Sequence, residues 1–192
     1  MPQLLGVQIA RARRVVINGR SVLTAIHKQP VSGPVPVLPL GLGGDEQADL
    51  SVHGGLAKAV YAYPSEHYPQ WQAARQAAGL TGIDDALPWG SLGENLTLSG
   101  LLESQVWVGD VLQFAHCALR VTQPREPCYK FNAAMGFSGA AKTMAQLGCC
   151  GFYLAVHEPG HLQAGDTFEL VPGQRGLRIP ESFQAKMRKH LR

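Results

Sequence analysis

Glycine and proline interrupt this sequence so often that long regular elements have little room to form. The 192 residues include 22 glycines and 13 prolines, while charged residues make up only 16%. Both residue types favour turns, and neither is well tolerated inside a helix or a central strand. A hydrophobic fraction of 45% is enough for a core in a chain of this length. The pattern therefore predicts one compact, mainly β unit with short elements and tight turns.

Short apolar or alternating runs bounded by turn residues mark the predicted strands. These strands are residues 4–10, 15–17, 21–27, 59–63, 96–98, 106–108, 111–114, 118–122, 151–157 and 167–171. Helices are predicted at 67–78 with Ser65 as N-cap, at 138–147 and at 181–190. Four prolines in residues 28–40 predict an edge or a loop. Because strands and helices do not alternate, we expect a closed or partly open β-barrel-like fold with a few peripheral helices.

The charge distribution separates the body of the chain from its end. Residues 1–172 are expected to form a single domain, and 173–192 a short basic segment that is helical. From residue 175 onward there are six basic residues and one acid, Glu181. This segment could meet a phosphate, an acidic partner or only solvent.

The cellular setting is predicted from what the sequence lacks. No N-terminal stretch has the pattern of a secretory signal, and no apolar run approaches the roughly 18 residues that span a bilayer. The four cysteines show no framework of a small secreted protein. We therefore expect a cytoplasmic protein with reduced thiols.

Cys128 is the strongest candidate for a reactive group. It lies in the run Gln-Pro-Arg-Glu-Pro-Cys-Tyr-Lys, where Pro124 and Pro127 stiffen the approach to the thiol. Arg125 and Lys130 place cations close to the sulfur in sequence, and nearby cations favour the thiolate that attacks electrophiles or binds metals. The alternative is a small apolar side chain buried in the core.

Two further segments carry candidate ligand-binding residues. Residues 41–55 contain five glycines around Asp45 and His53, which predicts a backbone that approaches a ligand closely or a plain hairpin loop. The glycine spacing fits neither a dinucleotide fingerprint nor a phosphate loop, so nucleotide binding is not indicated. Glu94 and Asn95 precede a strand and could orient a ligand or cap the loop.

Several other motifs are assigned structural roles. His157 and His161 have the spacing of a zinc protease motif, but Pro159 and Gly160 between them forbid the helix that this chemistry requires. The adjacent Cys149 and Cys150 have no metal-ligand spacing by themselves, and they are expected to pack in the core. The three tryptophans lack the basic surroundings typical of a nucleic-acid-binding face.

An ordered series of short motifs resembles the MOSC family, named after the C-terminal domain of molybdenum cofactor sulfurase. The motifs are Gly-Leu-Gly-Gly-Asp-Glu-Gln-Ala-Asp from residue 41, Val-His-Gly-Gly from 52, Lys-Ala-Val-Tyr from 58, Gly-Glu-Asn from 93, Val-Gly-Asp from 108 and Gln-Pro-Arg-x-Pro-Cys-Tyr-Lys from 123. Their order is most similar to the stand-alone bacterial YiiM-like branch. After residue 172 this chain carries only a short basic segment, where such relatives usually have an additional helical region.

The resemblance implies a β-rich, barrel-like fold that binds a molybdopterin-type molybdenum cofactor. It implies that Cys128 is both the catalytic residue and the protein ligand to molybdenum, and that N-hydroxylated compounds such as hydroxylaminopurine bases are reduced. The electrons would come from a separate flavin or haem protein. His53, Lys58, Arg125 and Lys130 are the candidates for the cofactor phosphate, and Asp45 and Asn95 could anchor the pterin or only hold loops. A related alternative is a sulfur carrier, with a persulfide on Cys128 and no turnover of its own.

Overall fold

The structure is a computed structural model that describes residues 1–48, 54–80 and 87–190. The strands in these residues are β1 (Gln3–Ile9), β2 (Arg13–Ile17), β3 (Arg20–Thr24), β4 (Gln29–Pro30), β5 (Val35–Leu38), β6 (Gly41–Leu42), β7 (Val60–Pro64), β8 (Leu96–Ser99), β9 (Val111–Gln113), β10 (Ala118–Pro124), β11 (Phe152–Glu158), β12 (Gly160–Leu162) and β13 (Glu169–Val171). The α-helices are α1 (Tyr68–Ala77), α2 (Tyr129–Met135), α3 (Ala140–Leu147) and α4 (Ile179–His190). The prediction of a mainly β fold with a few helices is confirmed.

The main sheet has eight strands in the order β13-β9-β10-β11-β7-β8-β1-β4. Gln3 and Thr167 form an isolated bridge, but β4 and β13 do not pair, so the closed barrel is not confirmed for the described strands. Strand β4 has only two residues, one of them Pro30 without a backbone donor, and within the main sheet it pairs with β1 alone. Two smaller sheets, β12-β5-β6 and β2-β3, complete the strand pairing.

The hydrophobic core packs the helices against the central strands of this sheet. Trp71 of α1 and Phe131 of α2 are fully buried and meet edge to face, with ring centroids 5.3 Å apart. The Trp71 indole donates to the Tyr63 hydroxyl at 2.6 Å, and that hydroxyl donates to the carbonyl of Cys149 at 3.0 Å. The polar atoms of these aromatic side chains are thus paired inside the core, as burial requires.

Three details of the predicted elements are wrong. Ser65 is not an N-cap, because residues 65–67 form a 3₁₀ turn that leads into α1 without a side-chain cap. Residues 106–108 are not a strand, since the Trp107 amide donates to the Asp110 carboxylate at 3.0 Å in a local turn. The strand predicted to reach residue 27 ends at Thr24, whose hydroxyl accepts from the Ile26 amide at 3.2 Å.

The basic C-terminal segment is anchored in the core by α4. Ile179 and Phe183 are buried in the same hydrophobic cluster as the residues of the sheet, while Arg188 is exposed. The helix begins two residues earlier than predicted, because Ile179 contributes to this packing. None of the helices in the part of the chain that the structure describes is long and apolar enough to cross a membrane.

Replacing Phe183 tests whether α4 is part of the folded core. We expect Phe183→Ala to lower the free energy of unfolding by about 3–5 kcal/mol, because a buried aromatic ring is replaced by a cavity. The exposed neighbouring substitution Gln184→Ala is the control and should change it by less than about 0.5 kcal/mol. Urea denaturation measures both values, and equal stability of the two variants would show that the helix is dispensable.

Candidate functional site

One cleft brings together the residues that the sequence singled out. It has an empty volume of about 700 Å³, part of it open to solvent. Its lining includes six of the predicted site residues: Asp45, Lys58, Asn95, Arg125, Cys128 and Lys130. His53, the seventh, lies outside the described residues. Segments that are far apart in sequence therefore converge on one site.

Cys128 lies where the loop after β10 turns into α2. Its backbone is extended, at φ −131° and ψ 176°, and its carbonyl accepts from the amide of Phe131 at 2.9 Å. Pro124 ends β10 opposite Phe152, so the loop starts from a fixed point on the sheet. The thiol is partly exposed and lines the cleft, which excludes the alternative of a fully buried core cysteine.

The other three cysteines differ from Cys128 in burial. Cys117, Cys149 and Cys150 are buried, with at most 2% of each residue exposed. Burial raises the pKa of Cys117 and of Cys149 to about 11, and that of Cys150 well above its ordinary value. Such thiols stay protonated near neutral pH and react slowly. The predicted packing of Cys149 and Cys150 in the core agrees with this placement.

Arg125 supplies a buried positive charge to the cleft. Only 6% of the residue is exposed, and its guanidinium carbon lies 4.9 Å from the ring centroid of Tyr61 and 4.5 Å from that of Phe131. Nη1 donates to the Leu92 carbonyl at 2.7 Å. Among the described residues, no carboxylate lies within 4.0 Å of this guanidinium. A desolvated cation without an acidic partner favours an anion in the cleft.

The charge of Arg125 also reaches Cys128. The two side chains interact electrostatically, so a negative charge on the sulfur is stabilised by the buried guanidinium. In the sequence, Arg125 is only three residues from the Cys128 thiol. The structure places the Arg125 guanidinium against aromatic rings, where it has little freedom to move away.

Asp45 and Asn95 hold the wall of the cleft together. Asp45 Oδ1 accepts from the amide of Ala10 at 2.7 Å and from Nζ of Lys28 at 2.5 Å, and Oδ2 accepts from Asn95 Nδ2 at 2.9 Å. Asn95 Oδ1 accepts from the amide of Tyr61 at 3.1 Å. The side chains of Asp45 and Asn95 therefore hold loops together, which was one of the two predicted roles. Their direct contact with a cofactor stays a prediction.

Lys58 and Lys130 line the cleft from different elements. Lys58 ends a 3₁₀ turn, Leu56–Lys58, and its Nζ lies 5.8 Å from the ring centroid of Tyr153. Lys130 belongs to α2, and its Nζ donates to the carbonyl of Leu23 at 3.1 Å. The cations of the cleft thus come from a turn, the loop after β10 and a helix.

Glu94 has a structural position beside the site. It is fully buried, and its carboxylate accepts from the amides of Gly90 at 2.7 Å and Leu92 at 3.1 Å and from the Thr97 hydroxyl at 3.0 Å. The Tyr68 hydroxyl also donates to it. Burial raises the pKa of Glu94. Glu94 therefore holds the loop that leads to Asn95, in agreement with the predicted loop-capping role.

Sequence reasoning assigned no role to several lining residues, among them Lys28, Tyr61 and Tyr153. Burial lowers the pKa of Lys28, and Asp45 partly offsets this effect. The proline-rich setting of Lys28 carries no signal for a site. The two tyrosines lie on paired positions of β7 and β11, with ring centroids 5.3 Å apart. Strand alternation was the available signal for them, since Tyr61 and Tyr153 share one face of the sheet.

The loop before Cys128 is fastened to α4. Nζ of Lys186 donates to the carboxylate of Glu126, and it also donates to the side-chain carbonyl of Gln123 at 2.9 Å. The basic segment therefore meets an acidic group of its own chain. This contact links the C-terminal helix directly to the loop that carries Arg125 and Cys128.

The two histidines with the zinc-protease spacing do not share a helix. His157 lies in β11 and His161 in β12, with no helix between them. In the described ranges, no group of three or more His, Cys, Asp or Glu side chains is arranged to hold a metal ion. A metal at Cys128 would therefore need further ligands from outside these side chains.

Comparison with known proteins identifies the family. The model of the MOSC domain matches residues 49–169, so the chain belongs to the MOSC family. It is 38% identical to the protein YiiM of Escherichia coli K12 over 83% of this chain and 69% of that protein. It is 33% identical to a reductase of Gibberella moniliformis over 88% of this chain, which spans only 29% of that longer protein.

A solved structure supports the same assignment. YiiM from Geobacillus stearothermophilus aligns with a TM-score of 0.77 and 29% identity, over 98% of this chain and 85% of that one. The resemblance to the YiiM-like branch, which the sequence motifs predicted, is therefore confirmed.

Differential alkylation tests the position of Cys128. At pH 8 we expect iodoacetamide to modify Cys128 at least about tenfold faster than the other three cysteines, because those thiols are buried and protonated. Peptide mass spectrometry of the native protein measures each rate. Cys128→Ser should remove the fast phase, whereas Cys149→Ser should keep it. A fast phase that survives in Cys128→Ser would contradict the assignment.

Proposed function

We propose that this protein binds a molybdopterin-type molybdenum cofactor in the cleft, with the Cys128 thiolate as its protein ligand, and reduces N-hydroxylated compounds. The observation that supports it most is the pairing of a partly exposed thiol with a buried guanidinium that has no carboxylate partner among the described residues. The membership of the MOSC family points to the same cofactor.

The donor set of the cleft fits such a group. A soft thiolate suits a metal that is already held by a sulfur-rich ligand. Among the described side chains, no group of three or more His, Cys, Asp or Glu is arranged to hold a bare ion. The cofactor phosphate and pterin carry negative and polar groups. Arg125, Lys58 and Lys130 would offer cations to the phosphate, and Tyr61 and Tyr153 offer aromatic surface. The cofactor supplies the redox chemistry when bound.

The protein would contribute orientation and charge to the reaction. Reduction of R–NHOH breaks the N–O bond and consumes two electrons and two protons to give R–NH₂ and water. The electrons would come from a separate flavin or haem protein. Arg125 would stabilise a negative charge on the sulfur of Cys128. The hydrogen bond between Asn95 and Asp45 holds two loops of the cleft together.

Metal analysis of matched variants tests the role of Cys128. Protein produced in a cofactor-competent host should contain molybdenum, and we expect Cys128→Ser to lose most of it, at least about tenfold. Cys149→Ser, at a buried thiol away from the cleft lining, is the control and should retain the metal. Inductively coupled plasma mass spectrometry measures the content. Equal molybdenum content in wild type and Cys128→Ser would contradict the assignment of Cys128 as a metal ligand.

The same preparations separate the reductase from a sulfur carrier. A reductase should convert hydroxylaminopurine to the amine when a chemical electron donor is supplied. A persulfide on Cys128 in intact-mass spectra, without such conversion, would favour the carrier instead.

Arg125 is expected to retain the anionic part of the cofactor. Arg125→Gln should lower the amount of pterin released from the purified protein at least about fivefold, because the buried cation is lost. Fluorescence of the oxidised pterin after denaturation measures this amount. Arg120→Gln is the control, because Arg120 is exposed on β10 and contacts His157. Equal amounts of pterin released from the two variants would contradict a role of Arg125 in cofactor binding.

A further inference from the structure

Lys186 of the basic C-terminal helix α4 contacts the segment that leads to Cys128. Its Nζ donates to the carboxylate of Glu126 and, at 2.9 Å, to the side-chain carbonyl of Gln123. Gln123 belongs to β10 and is paired with β11, whereas Glu126 lies in the loop that follows β10. One ammonium group therefore joins this loop to the end of a strand of the main sheet.

The packing of α4 determines where Lys186 lies. Ile179, Ser182 and Phe183 are buried, and Lys186 follows them by seven, four and three residues, which is the spacing of one helix face. Met187 also packs against the core. Only 28% of the Lys186 side chain is exposed. The lysine is therefore brought to the loop by the burial of its helix face, in addition to the attraction of the carboxylate.

Glu126 places a negative charge among the cations of the cleft. Glu126 lines the cleft together with Arg125, Lys58 and Lys130, and it interacts electrostatically with Tyr153. Although Glu126 directly follows Arg125 in the sequence, its carboxylate is not within 4.0 Å of the Arg125 guanidinium. A carboxylate that paired with this guanidinium would cancel the charge that an anion in the cleft needs.

We propose that Lys186 is a positioning residue, which holds the Glu126 carboxylate away from the Arg125 guanidinium and so keeps the cleft positive for an anion. Because the ammonium group also binds Gln123, it is anchored to the sheet and restrains the carboxylate at that point. That the anion is the phosphate of a cofactor rests on the function proposed above, whereas the charge of the cleft does not.

A contribution of the same ion pair to stability alone is the competing explanation. The side chains of Lys186 and Glu126 are 28% and 34% exposed, and solvent screens an ion pair at such positions. We therefore expect Lys186→Met to shift Tm by less than about 3 °C, so that a change at the cleft is not caused by unfolding. Circular dichroism measures Tm and verifies that each variant is folded.

Two alkylating reagents of different charge measure the electrostatic potential at Cys128. The protein is produced in a host that makes no molybdenum cofactor, and peptide mass spectrometry gives the rate constants of anionic iodoacetate and neutral iodoacetamide. The ratio of the two rate constants reports local charge, because the thiolate fraction affects both reagents alike. We expect Lys186→Met to lower this ratio at least about threefold, since the released carboxylate repels iodoacetate.

A double-mutant cycle separates the charge of Lys186 from its effect on Glu126. In the Glu126→Gln background, Lys186→Met should change the ratio less than about 1.5-fold, because no carboxylate is left to release. Lys186→Arg should retain the wild-type ratio. Lys142→Met, which removes an exposed cation of α3, is the matched control and should also retain it. The proposal is overturned if Lys186→Met has no effect on the ratio, or if its effect is the same in both backgrounds.

Pterin release connects the positioning role to the cofactor. In protein from a cofactor-competent host, we expect Lys186→Met to release at least about threefold less pterin than Lys186→Arg. Equal release would overturn the connection to the cofactor. If wild type contains no pterin, the proposed function fails, while the alkylation ratios still test Lys186. If wild type contains pterin but the ratio does not depend on Lys186, the positioning role alone is wrong.

Discussion

The candidate site depends on the burial of the Arg125 guanidinium between Tyr61 and Phe131. These two rings come from β7 and α2, so the positive charge of the cleft is part of the same packing that joins the sheet to the helix. A buried cation loses its hydration and is stable only where aromatic faces, carbonyls or anions replace the water. The fold supplies the rings and the Leu92 carbonyl, which leaves capacity for an anion in the cleft.

The same cation explains why Cys128 differs from the other thiols. Cys117, Cys149 and Cys150 are buried, and burial favours the neutral form of each thiol. Cys128 is partly exposed and interacts with Arg125, while the loop before it is tied to α4 through Glu126. Partial exposure, a nearby positive charge and a restrained loop are therefore combined at the sulfur of Cys128. This coincidence supports a role in binding chemistry more strongly than any single motif.

Most strands could be predicted from the sequence because alternation and turn residues act locally. The closed barrel was not confirmed, since β4 and β13, the edge strands of the main sheet, do not pair. Helix α2 was missed because it has seven residues, although Phe131 and Met135 carry the four-residue spacing of a buried helix face. Cys128, Arg125 and Lys130 were found because proline and charge mark them locally. Lys28 was missed because its proximity to the cleft arises only from tertiary packing.

The central claim is that the sulfur of Cys128 binds the metal of the cofactor. Molybdenum K-edge X-ray absorption of the loaded protein tests it most directly, because the number of sulfur neighbours around the metal can be counted. The account predicts one sulfur fewer in the residual metal-bound fraction of Cys128→Ser than in wild type and in Cys149→Ser. An unchanged sulfur shell in Cys128→Ser would contradict it.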